Sequence, residues 1–129
     1  YKMEMVGIYM KDMESCLMMY FIVDQCYWKE PEDPMAIFLG EISPYLLIDG
    51  RPFDTSVYKK WKEQVPINKL TDKNIMQYIY PFISGYQKEF GSDTAFQNTL
   101  KHLKEVDEKM IKEAEIKTKE AYNKYHYDD

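Results

Sequence analysis

The sequence predicts an all-α domain, a compact bundle of four or five helices that ends in a long charged C-terminal helix. Three observations lead there. Apolar residues recur at spacings of three and four along most of the chain, the period of one helix face. The segments so patterned are separated by Pro, Gly and the short polar residues that cap helices. Few stretches alternate apolar and polar residues as a half-buried strand would. At 129 residues the chain has the length of one domain, and 1–129 reads as a single helical unit.

The first helix is expected over about residues 5–28. Val6, Met10, Met13, Leu17, Tyr20 and Phe21 keep the helical spacing, and residues 16–23 are apolar around the whole circumference, so the middle of this helix belongs in the core. Six of the first nineteen residues are Met, an unbranched side chain that forms helices well and fills irregular gaps, and these are read as core rather than as a soft binding groove. Glu30-Pro31-Glu32-Asp33-Pro34 ends the helix, because each Pro turns its predecessor away from the helical region. Asp33 as N-cap and Pro34 in the first turn then open a second helix over 34–42.

Ser43-Pro44 breaks that helix. Tyr45-Leu46-Leu47-Ile48, ahead of the turn dipeptide Asp49-Gly50, reads as a short extended piece or as the apolar anchor of a loop. Asp54 is positioned to cap a third helix whose inner face is Val57, Tyr58, Trp61 and Val65, closed by Pro66. Thr71 or Asp72 caps a fourth, with Ile75, Ile79, Phe82, Tyr86 and Phe90 inward, Pro81 bending it and Gly91 stopping it. The last element runs from 93 to 125 without Gly or Pro, its stripe being Phe96, Leu100, Leu103, Val106, Met110 and Ala114. A continuous helix of that length would reach about 50 Å at 1.5 Å per residue, so it must protrude, break or pair with another chain, and a homo-oligomer through it is one expectation.

Composition narrows the functional classes. The chain is 45% hydrophobic and 30% charged, too apolar for disorder, and its longest apolar run is far shorter than the 18 to 20 or so residues of a bilayer span, so no membrane association is expected. A net charge of -5 offers no basic field for phosphates, and no nucleic-acid partner is expected. Cys16 and Cys26 would lie about 15 Å apart along one helix and do not pair; as buried thiols they suit a reducing compartment, and a cytoplasmic protein is expected.

Chemistry has little to build on. There are two histidines; His126 sits in what reads as a frayed tail, and His102 shares a helix face with Glu105. A carboxylate-bridged metal centre needs Glu-x-x-His pairs from two helices, and this chain offers the reverse order once, so no metal is expected. No Gly-rich phosphate loop exists, so no cofactor is expected either, and nothing supports an enzyme.

The acidity itself is uneven. Residues 1–60 carry 6 basic and 10 acidic side chains and the remainder 11 and 12, which puts four of the five excess negative charges in the first part. Glu30, Glu32, Asp33, Glu41, Asp49 and Asp54 fall in or near the connections, where they can face solvent together. Gathered into a patch, they would steer a basic protein into contact, with Tyr45, Tyr58 and Trp28 as aromatic anchors. Charge reversal at Glu30, Glu32 and Asp33 is then expected to weaken binding.

The segment Pro44-Tyr45-Leu46-Leu47-Ile48-Asp49-Gly50-Arg51-Pro52-Phe53-Asp54, followed by a short helix with Trp61, resembles a pattern of small helical bacterial proteins, among them immunity proteins of toxin systems. The resemblance covers about twenty residues and assigns no site residue. It implies a non-catalytic protein-binding module that occludes a toxin; the alternative is a structural protein that oligomerises through its C-terminal helix.

Overall fold

The fold is organised around the first described helix. In a computed structural model, which describes residues 9–66, 69–89 and 93–127, α1 (Asp12–Lys29) is apolar on nearly every side and buried on nearly every side, from Met13 to Cys26. A helix of that composition has no solvent face to offer and must be surrounded. It packs against α2 (Asp33–Ile42), α3 (Thr55–Gln64), α5 (Gln97–Leu103) and α6 (Glu108–Tyr125), while α4 (Met76–Glu89) packs on α5. The all-α class and the compact bundle are as expected, and no strand occurs among the described residues.

The helix boundaries differ from expectation in four places, the first being α4, which begins at Met76 after turns at 72–75 rather than directly after Thr71 or Asp72. Within the described residues α1 begins at Asp12, not near residue 5; Met10 is instead tied by its N–H to Leu70 O at 2.9 Å, and the Lys11 N–H donates to Glu14 Oε1 at 3.1 Å to close the first turn. Met5 and Val6 lie outside the described residues. The last element is two helices, which brings the described total to six rather than four or five. Asp107 explains the break: its Oδ1 accepts the Met110 N–H at 2.9 Å, and this local bond starts a new helix after the Glu105 N–H has closed the old one on His102 O. Through Tyr127 the tail is not frayed. His126 takes a left-handed conformation at the end of α6, and Tyr127 folds back and is buried.

The expected core is otherwise present. Trp61 is fully buried, and its indole N–H donates to Ser15 Oγ at 2.9 Å, which satisfies two polar groups that the apolar interior would penalise. Rings of Trp61, Phe82, Tyr86, Phe38 and Phe96 meet in succession, mostly edge to face, at centroid distances of 5.1 to 5.7 Å. Pro81 sits on the exposed side of an uninterrupted α4, where the carbonyl it fails to bond can face water. The expected stop at Phe90 and Gly91 falls outside the described residues. α6 lays Met110, Ala114, Thr118 and Ala121 against α1, and Gln25 Nε2 donates to Met110 O at 2.9 Å, so the apolar stripe of the C-terminal element is buried within its own chain.

Candidate functional site

α2 separates the acidic residues into two groups. Ten residues of helix span about 15 Å, with Glu30, Glu32 and Asp33 at its start, Glu41 in its last turn, and Asp49 and Asp54 beyond its end. The first group is largely engaged inside the molecule. Glu30 Oε1 meets Lys101 Nζ at 2.5 Å and His102 Nε2 at 3.0 Å, contacts that hold its carboxyl below the usual range, Lys101 first and His102 second. Glu32 accepts the backbone N–H groups of Asn98 and Thr99 at 3.2 and 2.8 Å and the Thr99 hydroxyl at 2.7 Å. It thereby caps α5, whose own N-cap residue, Phe96, is left-handed and has no side chain to offer the turn. Asp33 stays exposed in the first turn of α2, where a negative charge suits the helix dipole.

The second group frames a different surface. Asp54 caps α3, accepting Ser56 N–H at 2.9 Å and Ser56 Oγ–H at 2.6 Å, and these bonds keep its carboxyl low. Glu41 lies against it; burial, then the neighbouring Asp54 carboxyl, push Glu41 upward. The Asp54 N–H also donates to Glu41 O at 2.9 Å, which fixes the end of α2 to the start of α3. Asp49 is exposed and accepts the Arg51 N–H at 3.0 Å, an Asx turn that shapes the connection between them.

What this connection displays is apolar. Tyr45, Leu46, Leu47 and Ile48 are 62, 60, 39 and 100% exposed, with Phe53 at 69% beyond the turn. Residues 45–48 are neither helix nor strand but a ridge of turns, held at both ends. At one end Pro44 is buried, the Tyr45 N–H donates to Ser43 Oγ at 3.1 Å, and the Tyr45 ring meets the Phe21 edge at 6.2 Å. At the other end Gly50 closes a turn on Leu47 O at 3.0 Å and takes φ 73°, a conformation glycine tolerates. A Cβ there would fall 2.3 Å from the Tyr125 ring. Tyr127 completes the lock: its hydroxyl donates to Gly50 O at 2.6 Å, and the Arg51 guanidinium stands over its ring at 5.7 Å.

Of the expected aromatic anchors, Trp28 is 68% exposed, whereas Tyr58 packs partly on the core with Lys62 over its ring. The run 45–48 is neither the extended piece nor the buried anchor expected of it, and the exposure of Leu46 and Ile48 and the locking role of Tyr127 are not foreseen from the sequence. Four apolar residues between Pro44 and Asp49 were the available signal, too short a run for a buried helix and bracketed by chain-breaking residues.

Both thiols are buried and neither is in a disulfide, and burial pushes Cys26 up to about 11. Among the described residues no group of three or more His, Cys, Asp or Glu side chains could hold a metal ion, and no helix is long and apolar enough to cross a membrane. The described residues thus form an all-α bundle with an exposed apolar ridge that Asp49 directly follows. Comparison with protein families, with curated proteins and with solved structures gives no match for this chain.

Proposed function

We propose that this chain is a non-catalytic protein-binding module whose contact surface is the ridge at residues 45–48 with Phe53. The observation that carries the reading is a run of four consecutive exposed apolar side chains on a connection tied down from both sides. Apolar surface displayed this way gains from being covered, and a fixed backbone loses little entropy when a partner settles on it. Asp49 directly follows the ridge, and Glu41 and Asp54 lie at the ends of the two helices that it joins, negative charge that favours a basic partner and speeds its approach.

The particular form we propose is occlusion of a basic toxin, as an immunity protein does it, on the strength of the resemblance carried by residues 44–54. Occlusion asks only for a surface and needs no catalytic group. A charge test at Glu30 or Glu32 would confuse binding with folding, since those carboxylates hold α5, so Asp49 is the informative position.

Affinity capture from the native cell lysate at low and at moderate salt tests the reading. The wild-type chain is expected to retain a basic protein in stoichiometric amount, Ile48→Asp to lose it, and Asp49→Lys to weaken it with a flatter salt dependence. Equal retention by wild type and Ile48→Asp, with both folded, contradicts the proposal.

A further inference from the structure

Beside the ridge, a groove of about 260 Å³ runs between the second half of α1 and α2. Tyr20, Tyr27 and Trp28 line it from α1, Leu39 from α2 and Leu46 from the ridge, and these largely apolar walls enclose one carboxylate, Asp24. Tyr20 and Leu39 are buried, whereas Trp28 stands 68% exposed with its ring edge-on to Tyr27 at 5.1 Å. The groove therefore has an aromatic wall that solvent reaches and an acid set back from bulk water.

We infer that this groove takes an arginine side chain of the partner, its guanidinium meeting Asp24 and stacking on Trp28 and its methylene stem lying along Leu39 and Leu46. The inference rests on the protein-binding reading and names the residue type that the surface beside the ridge selects. Three features favour arginine. A partly desolvated carboxylate is complemented by a cation that can bond both of its oxygens, and guanidinium does so with parallel N–H groups. A planar, weakly hydrated cation gains more from an indole face than a compact ammonium does. A long apolar stem matches walls that would reject a short polar side chain. The state of Asp24 is consistent with this: burial raises its pKa, while Lys117 on α6, outside the lining, and the neighbouring Trp28 indole draw it down only in part.

The experiment uses the whole chain and two small probes. N-acetyl-arginine methylamide is titrated while the two tryptophan indole N–H signals are followed by NMR; Trp61, buried and bonded to Ser15, serves as an internal reference. The citrulline analogue, which has nearly the same shape and no charge, is titrated in parallel. The expected result is a saturable shift of Trp28 with Trp61 unmoved, at least about tenfold weaker binding of citrulline, and the same loss for arginine in Asp24→Asn. An absent or non-saturating shift, or equal binding of the two probes, overturns the inference, and the probe comparison needs no substituted protein. A groove that ignores arginine beside a ridge that still captures a partner removes this inference alone. A groove that binds arginine beside a ridge variant that captures as well as wild type removes the functional reading instead.

Discussion

At the residue scale, single polar groups carry the consequences that are simplest to measure. Ser15 accepts the only hydrogen bond shown for the buried Trp61 indole, so Ser15→Ala should cost about 1–3 kcal/mol in denaturant unfolding, the usual penalty for an orphaned donor. Gly50 combines a positive φ with a Tyr125 ring where a side chain would begin, and Gly50→Ala should lower the melting temperature while an alanine at Gly40, which meets nothing, should not lower it comparably. Glu41 has a raised pKa in the folded state, from burial and from Asp54, so the folded protein holds that proton to higher pH than the unfolded chain does. Its ionisation therefore subtracts stability as pH rises through the carboxylate range, whereas the lowered Asp54 adds stability that is lost as pH falls. Glu41→Gln keeps a donor toward Asp54 without the charge and should melt above wild type at neutral pH, with the advantage gone near about pH 3, below the unperturbed carboxylate values. An unchanged difference across that range would contradict the pairing.

At the element scale, α5 depends on another segment for its start. Glu32 supplies the cap that Phe96 lacks, and Glu32→Ala should cost about 1 kcal/mol, with faster amide exchange at Asn98 and Thr99 as the local signature. The same elements show what the sequence can and cannot disclose. α1, α2 and α3 were legible because their periodicity and their Pro and Asp boundaries are local properties. The division of the last element was less so: Asp107 is a good capping residue, but without Gly or Pro nearby the unbroken apolar stripe suggested one helix. Glu30 and Glu32 were legible as exposed acids and not as internal ties, because their partners Lys101, His102 and Thr99 lie about seventy residues away and no spacing rule connects them. The tail around His126 reads as frayed for the same reason, since the acceptor of the Tyr127 hydroxyl, Gly50 O, is equally remote in sequence.

At the scale of the whole molecule, the design separates a satisfied interior from one unsatisfied surface. The described helices pack their apolar faces on α1 and on one another, and among the described residues no buried side-chain polar atom lacks a partner. Against that interior the ridge at 45–48 is the conspicuous departure, four consecutive exposed apolar residues where other exposed apolar side chains, such as Ile37 and Ile116, stand singly. Its exposure is a tertiary property; the run of four apolar residues was visible in the sequence, but which way the run faces is decided by Ser43, Pro44, Gly50 and Tyr127 together. The most direct test of its role is site-specific photo-crosslinking in the native cells, with the reactive group placed at position 48 in one protein and at position 109 in another. Lys109 is exposed and lies about 24 Å along α6 from Tyr125, the ring beside Gly50. A discrete crosslinked partner is expected from position 48 and none from position 109; no adduct at 48, or the same adducts from both positions, would contradict a binding role for the ridge.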